Sequence, residues 1–433
     1  MIRQSDADAG EHHRVDITEG RPKRIFWLQS HAVGLLTWGM RACTLALIVL
    51  LCAACNQAPT APEEASSAQP GNGQFADSAG AGQTVYLSGQ TADTVVDKAG
   101  VSAIEASTRG ALDKLGGVLR DRGLDFSNLV NCRLQLADMD DYQTVNGIYA
   151  SYFSAERYPA RTTVQVAALP DNARIAVTCI AYQNTAATAI VRPSAEVIPP
   201  AMGPYSPAVM AGDMLYVSGQ GGRDPLTGET SPEAGAQTDR TLATIEATIA
   251  AQELSLDSVV TAAIYSPNLD DTAEIEARLA AAMPAGSGPA RAVIGVGRLP
   301  GDIAVEIAVI AARDKYAVTR LYPAGEDPGA GLSPAVLAGN TLYVTALAMP
   351  EAGAALAVQF AAILARQKLV LGLAEMDLAN VVYADVYLAD VADAGAVRSL
   401  IGEAFGAQAP AGTIAGMKSA SGAKVMIGLT AAK

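Results

Sequence analysis

"GPYSPAVMAGDMLYVSGQ", residues 203–220, decides how this chain is read, because its second half has two degraded copies elsewhere. "TVYLSGQT" (84–91), "MLYVSGQG" (214–221) and "TLYVTALA" (341–348) are versions of one strand. Two further motifs follow each copy in the same order. The first is "NLVNCRLQLADMDDY" (128–142), "SVVTAAIYSPNLDDT" (258–272) and "NVVYADVYLADVADA" (380–394). The second is "YPARTTVQVAALP" (158–170), "GPARAVIGVGRLP" (288–300) and "APAGTIAGMKSAS" (409–421). Collinear recurrence at a regular period marks repeated structural units. The body therefore reads as three homologous blocks, 73–184, 192–313 and 318–433.

Each block has one internal layout. An early strand pair precedes a helix-period stretch such as "AQTDRTLATIEATIAAQE" (236–253), whose Leu242, Ile245 and Ile249 share a face. A β-branched strand ("VVTAAIY") and a shorter helix follow. Two last strands, near Arg291–Gly297 and Ile303–Ile310, are joined through Leu299-Pro300-Gly301-Asp302, whose turn chemistry predicts a tight connection. Helices that cover one sheet face predict an α+β layer in each block.

The first residues read differently. From Met40, "MRACTLALIVLLCAACNQ" has one Arg, an apolar stretch over Leu45–Leu51 and small residues ending at Cys55, the pattern of a secretory signal. The apolar stretch is too short to span a bilayer. Residues 1–55 are thus an extension and signal, with Met40 as the expected start, and 56–72, rich in Ala, Pro, Ser and Glu, are a flexible tether. Ala53-Ala54-Cys55 resembles the lipobox of bacterial lipoproteins, although Cys52 stands at that motif's usual leucine position. The resemblance implies lipidation at Cys55 and an exported, periplasmic body held at the outer membrane; plain cleavage near Ala54 is the alternative.

Several function classes are excluded by composition. The net charge of −14 and the lack of basic runs interleaved with aromatics argue against nucleic acid as a partner. All three histidines, His12, His13 and His31, precede Met40. The body therefore carries no Ser-His-Asp or Cys-His machinery and no imidazole metal ligand, and no metal site is expected. Apart from Cys55, its thiols are Cys132 and Cys179, which either pair in an oxidising compartment or serve as small buried apolar groups. No phosphate-cradling or dinucleotide glycine motif is present.

Taken together, Gly203-Pro204-Tyr205-Ser206, Ser218-Gly219-Gln220, Pro289-Ala290-Arg291 and the closing strand resemble the RidA (YjgF) family of enamine/imine deaminases. That resemblance spans all three blocks. It implies chorismate-mutase-like folds, trimeric association with clefts between subunits, and here a pseudo-trimer closed within one chain without further obligate oligomer. It also implies a small 2-imino or 2-oxo carboxylic acid as ligand and no cofactor. An arginine fork would grip the acid and a carboxyl group would handle the attacking water.

Residue by residue, the resemblance places that arginine at Arg291, the water-handling carboxyl at Glu306, the tyrosine at Tyr205 and the serine at Ser218, beside Gly219. The second block thus holds a full set, with Glu276 at the family's helix-asparagine position. The first block keeps Arg161, Ser88 and Asn146 but has Phe75 and Ala176 where the tyrosine and glutamate fall. In the third, Leu332, Thr345, Gly412 and Ile427 replace all four, and the block reads as architectural.

Three readings stay open from the sequence. A hydrolase would convert 2-imino or enamine acids to 2-oxo acids and ammonium, using Arg291 and Glu306 in one pocket. A tethered binding protein would hold a small carboxylate on Arg291 or Arg161 without turnover. A scaffold would use none of these residues. Taken singly, Arg291 reads as a surface strand-end residue, Glu306 as the solvated face of an edge strand, and Tyr205 and Ser218 as packing.

Overall fold

The structure, a computed structural model, describes residues 75–92, 100–154, 157–326, 332–350, 353–419 and 422–433. The signal, Cys55 and the 56–72 tether lie outside the described residues.

In the first block a hairpin of β1 (Ser78–Ala81) and β2 (Thr84–Gln90) leads to α1 (Ala103–Asp121). Then come β3 (Leu129–Leu136), α2 (Tyr142–Ala150), β4 (Ala160–Gln165) and β5 (Ile175–Tyr182). A connecting strand, β6 (Thr188–Val191), joins the second sheet. The second block continues with β7 (Ala208–Ala211), β8 (Met214–Val217), β9 (Gln220–Gly221), α3 (Ala234–Ala250), β10 (Val259–Ser266), α4 (Thr272–Ala282), β11 (Ala290–Gly295) and β12 (Glu306–Ala312). The third has β13 (Val318–Leu321), β14 (Ala335–Ala338), β15 (Thr341–Ala348), α5 (Leu356–Leu373), β16 (Val381–Leu388), α6 (Ala394–Phe405), β17 (Ala411–Gly416) and β18 (Val425–Ala432).

The three sheets repeat one order: β1-β2-β5-β3-β4, then β6-β7-β8-β12-β10-β11, then β13-β14-β15-β18-β16-β17. In each, the strands flanking the second helix run parallel, as a helical crossover requires, and the remaining pairs are antiparallel. The tight Leu299–Asp302 turn is present, closed by the Asp302 amide donating to the Leu299 carbonyl at 3.1 Å, but the two strands it joins are not neighbours. β10 lies between β11 and β12, so the Leu299–Asp302 turn crosses the end of β10. This order also places β12 inside the sheet, with Glu306 off any edge.

Local sequence explains the helices. Ser102 caps α1 by accepting the Glu105 amide at 3.2 Å, and Ile104, Ala111, Leu112, Leu115 and Leu119 form its buried stripe. The predicted Leu242, Ile245 and Ile249 are likewise buried on α3. Each helix pair covers one face of its own sheet, giving three separate cores. Cys132 and Cys179 face each other across β3 and β5 in the first of these cores. They are both buried and bonded, as a disulfide with Cα atoms 4.1 Å apart.

The opposite sheet faces bury against one another. Val164 and Val166 meet Tyr265, Ile294 and Val296 of the second block and Tyr387, Ala415 and Met426 of the third in one shared cluster. Smaller clusters join the blocks pairwise. Where the middle strands converge, Arg133 of β3 makes a two-pronged ion pair with Asp385 of β16, and Ala263 of β10 lines the same interior space of about 170 Å³.

Candidate active site

Three hydroxyls, two buried and one half-buried, stitch the blocks together by the same device. Ser218 accepts the backbone N–H of Arg161 at 2.8 Å and donates to the Ser206 carbonyl at 2.6 Å. Thr345 accepts from the Arg291 amide at 3.0 Å and donates to Ser333, and Ser88 accepts from Gly412 at 2.9 Å and donates to Ala76. The strand that carries each hydroxyl is therefore fastened to the arginine position of another block. The residue sets grouped by block in the sequence are regrouped by cleft in the fold.

The cleft between the first and second blocks holds about 260 Å³ and is lined by Arg161, Tyr142 and Thr163 from one side and Tyr205, Gly219 and Glu306 from the other. Arg161 leaves Pro159-Ala160 at the start of β4 and is only 3% exposed. Its guanidinium lies 5.8, 5.2 and 5.4 Å from the ring centroids of Tyr142, Tyr149 and Tyr205. Tyr142, Asn146 and Tyr149 stand at i, i+4 and i+7 on α2, so one helix face presents all three.

Nη2 donates weakly to the Tyr142 hydroxyl at 3.4 Å, whereas Nη1 has no hydrogen-bond partner among the described residues. Both polar atoms of Asn146 are also unpartnered. A Cβ on Gly203 would lie 2.5 Å from Arg161 Nη2 and 3.0 Å from Asn146 Oδ1, so the second block's backbone passes directly over this pair.

Three cation–ring contacts contribute about 0.5–2 kcal/mol each, against a burial penalty of several kcal/mol for an unpaired charge. Electrostatics therefore favour a bound anion at this fork.

Glu306 shares the cleft and is 6% exposed. Burial raises its pKa to about 8, while the charge of Arg161 and a hydrogen bond from the Thr163 backbone pull the other way. At neutral pH it is mainly a carboxylic acid, able to donate a proton. Gly219 is dictated by this carboxyl: a Cβ there would stand 1.8 Å from Glu306 Oε1. Tyr205 is held by its hydroxyl, which accepts the Met202 amide at 3.2 Å.

The equivalent positions at the other two block boundaries differ. At the second, Arg291 donates through Nε to Glu276 of α4 at 2.5 Å, so its charge is answered from within the block. At the third, Gly412 replaces the arginine, and the Phe75 ring packs where a Cβ would be 2.5 Å from it. The fifth residue of the second helix is Asn146, Glu276 and Arg398 in turn. Arg398 pairs with Asp171 at 3.0 Å.

The expectation that Arg291 and Glu306 line one pocket is thus corrected. Parallel pairing of β11 beside β10 sends Arg291 to the boundary with the third block, where Thr345 receives its amide. Arg161 takes the place beside Glu306. Ser88, expected with Arg161 and Asn146, is drawn instead to Gly412. Tyr205, Ser218, Gly219, Arg161 and Asn146 do assemble around the first cleft. The third-block counterpart of Glu306 is Met426 rather than Ile427, because Met426 opposes Tyr387 as Glu306 opposes Tyr265. The aromatic cage was missed, although the Tyr142, Asn146, Tyr149 spacing was legible. Arg223, which also lines the cleft, lies in no repeated motif.

The profile of the endoribonuclease L-PSP family matches residues 66–183 and 196–313, more than half the chain. A 2-iminobutanoate/2-iminopropanoate deaminase of Bos taurus is 37% identical over 108 residues, covering 25% of this chain and 78% of the relative. The chloroplastic Reactive Intermediate Deaminase A of Arabidopsis thaliana is 48% identical over 79 residues, covering 18% of this chain and 42% of the relative. A crystal structure of RidA from the Antarctic bacterium Psychrobacter sp. is 33% identical with a TM-score of 0.27, covering 29% of this chain and 98% of that one.

Proposed function

The chain belongs to the endoribonuclease L-PSP family, and from that premise we propose that its first cleft hydrolyses short 2-imino acids to 2-oxo acids and ammonia. The observation that carries this reading is the unpaired, buried guanidinium of Arg161 in the same cleft as the Glu306 carboxyl. Arg161 grips the substrate carboxylate in its fork. Glu306 gives its proton to the imine nitrogen, and the resulting carboxylate takes a proton from the water that attacks the imine carbon. In the collapse of the carbinolamine Glu306 passes that proton to nitrogen, the C–N bond breaks to release ammonia, and the hydroxyl proton returns to Glu306, leaving a carbonyl and the acid restored. Because the substrate anion offsets the Arg161 charge, binding removes the attraction that lowers the Glu306 pKa, and the proton stays available.

We further propose that the three blocks close as an intramolecular pseudo-trimer, a reading supported by the cyclic Ser218–Arg161, Thr345–Arg291 and Ser88–Gly412 contacts. Export behind a lipid on Cys55 is proposed from the signal-like 40–55 stretch and is supported by the Cys132–Cys179 disulfide. Labelling with a radioactive fatty acid tests it: a Cys55→Ala chain that still takes up label refutes the anchor.

The activity is tested by supplying 2-iminobutanoate from an amino-acid oxidase to the purified chain and following 2-oxobutanoate. Arg161→Met and Glu306→Gln are expected to abolish the acceleration. Turnover unchanged by both substitutions overturns the proposal. Binding of 2-oxobutanoate without any turnover supports a binding protein instead.

A further inference from the structure

The first cleft contains a second cation that the chemistry above leaves unused. Arg223 follows β9 on a loop that returns through an Arg223–Thr230 bridge and lines the same cavity as Arg161 and Glu306. The loop is built to hold it. Asp224 N donates to Glu229 O at 2.8 Å, Gly228 N donates to Asp224 O at 2.9 Å, and Arg223 Nε donates to Gly228 O at 2.8 Å. These bonds fix the root and Nε of the guanidinium while both Nη groups have no hydrogen-bond or ion-pair partner among the described residues. The neighbouring carboxylate does not answer the charge, because Asp224 is taken by Arg240 at 2.9 Å and by the amides of Leu226 and Thr227.

Among the residues lining the cleft, Arg161 and Arg223 are the two cations and Glu306 the one acidic group. Two guanidinium groups without carboxylate partners converge on one cavity in a chain of net charge −14. Pro199, Pro200, Met202 and Ile303 supply apolar wall. Such a site is complementary to a short carbon chain with an anion at each end. Building on the hydrolase reading above, we infer that the preferred substrate is a 2-imino dicarboxylic acid, the imine of an acidic amino acid. Arg161 holds the carboxylate next to the imine carbon, and Arg223 binds the distal one. Hydrolysis balances as before: water adds across C=N, ammonia leaves and a 2-oxo diacid remains.

The test compares 2-iminoglutarate with 2-iminobutanoate, each generated by an amino-acid oxidase, on the native chain and on Arg223→Met. The diacid is expected to be hydrolysed with a kcat/KM at least about 10-fold higher. Arg223→Met is expected to lose roughly 10- to 100-fold on the diacid and less than about 2-fold on the monoacid, the span of one charge-assisted hydrogen-bonded contact. Monoacid turnover without diacid preference, or an Arg223→Met loss equal on both, overturns the inference and leaves the hydrolase reading standing. If neither imine turns over, the hydrolase reading fails and calorimetry decides this one. Tighter binding of 2-oxoglutarate than of 2-oxobutanoate, lost in Arg223→Met, upholds it; equal affinity overturns it. An unchanged melting temperature for Arg223→Met separates lost recognition from lost folding.

Discussion

Arg161 and Arg291 occupy the same position in two copies of one strand, follow the same Pro-Ala pair and give their amides to the same kind of hydroxyl. Their side chains have opposite fates. Arg291 is latched by Glu276 from the fifth residue of α4, whereas the equivalent residue on α2 is the neutral Asn146 and Arg161 keeps an unpartnered Nη1. One helix residue thus decides whether the fork is satisfied internally or is available to a ligand. The strand partner completes the contrast: Glu306 stands beside Arg161, while Met426 fills the equivalent place in the third block.

The most damaging way to break this comparison is to crowd the carboxyl. Gly219→Ala is expected to displace Glu306 and lower imine hydrolysis by about 100-fold or more, since general acid–base groups contribute roughly that much. Steady-state rates beside a near-native circular dichroism spectrum check it. Moving the latch comes next. Asn146→Glu should give Arg161 the internal partner that Arg291 has, and weaken 2-oxo acid affinity by about 10- to 100-fold, measured by calorimetry. Undiminished affinity would show that the helix residue is not the switch.

Acidity sharpens the contrast more moderately. The Glu306 pKa is raised from 4.5 to about 8, so the folded state prefers the protonated form. Stability from this group is whole below about pH 4.5, declines as pH rises and levels off beyond about 8. Glu306→Gln should therefore match the parent near pH 4 and exceed it above pH 8 by on the order of a few kcal/mol in denaturant titrations. In the native chain kcat/KM should fall as pH passes about 8, where the donor loses its proton. The smallest effect is expected at Arg291→Ala. With Glu276 released and the first cleft untouched, hydrolysis should stay within about 2-fold of native, the range of surface substitutions remote from a site.

Much of this was legible beforehand. The three strand copies and the helix stripe at Leu242, Ile245 and Ile249 follow from periodicity, and these elements appear where the pattern puts them. Gly219 shows its reason only in the fold, where Glu306 Oε1 occupies the space a Cβ would need. What could not be read was which strand end faces which. Homologous blocks carry interchangeable motifs, so Arg161 and Arg291 are equivalent claimants to Glu306 until tertiary closure chooses. The Ile427 assignment failed for a related reason: a one-residue slip moves a side chain to the other sheet face, and only pairing with Tyr387 fixes it. Arg223 sits on a loop outside the repeats, where no second copy draws attention to it.

The meeting point of Arg133, Ala263 and Asp385 has a wider consequence. Three identical polypeptides around an axis would present the same group there three times, crowding like charges or leaving only neutral ones. Blocks that share one polypeptide escape that rule, and here each differs: a cation on the first, a methyl group on the second and an anion on the third.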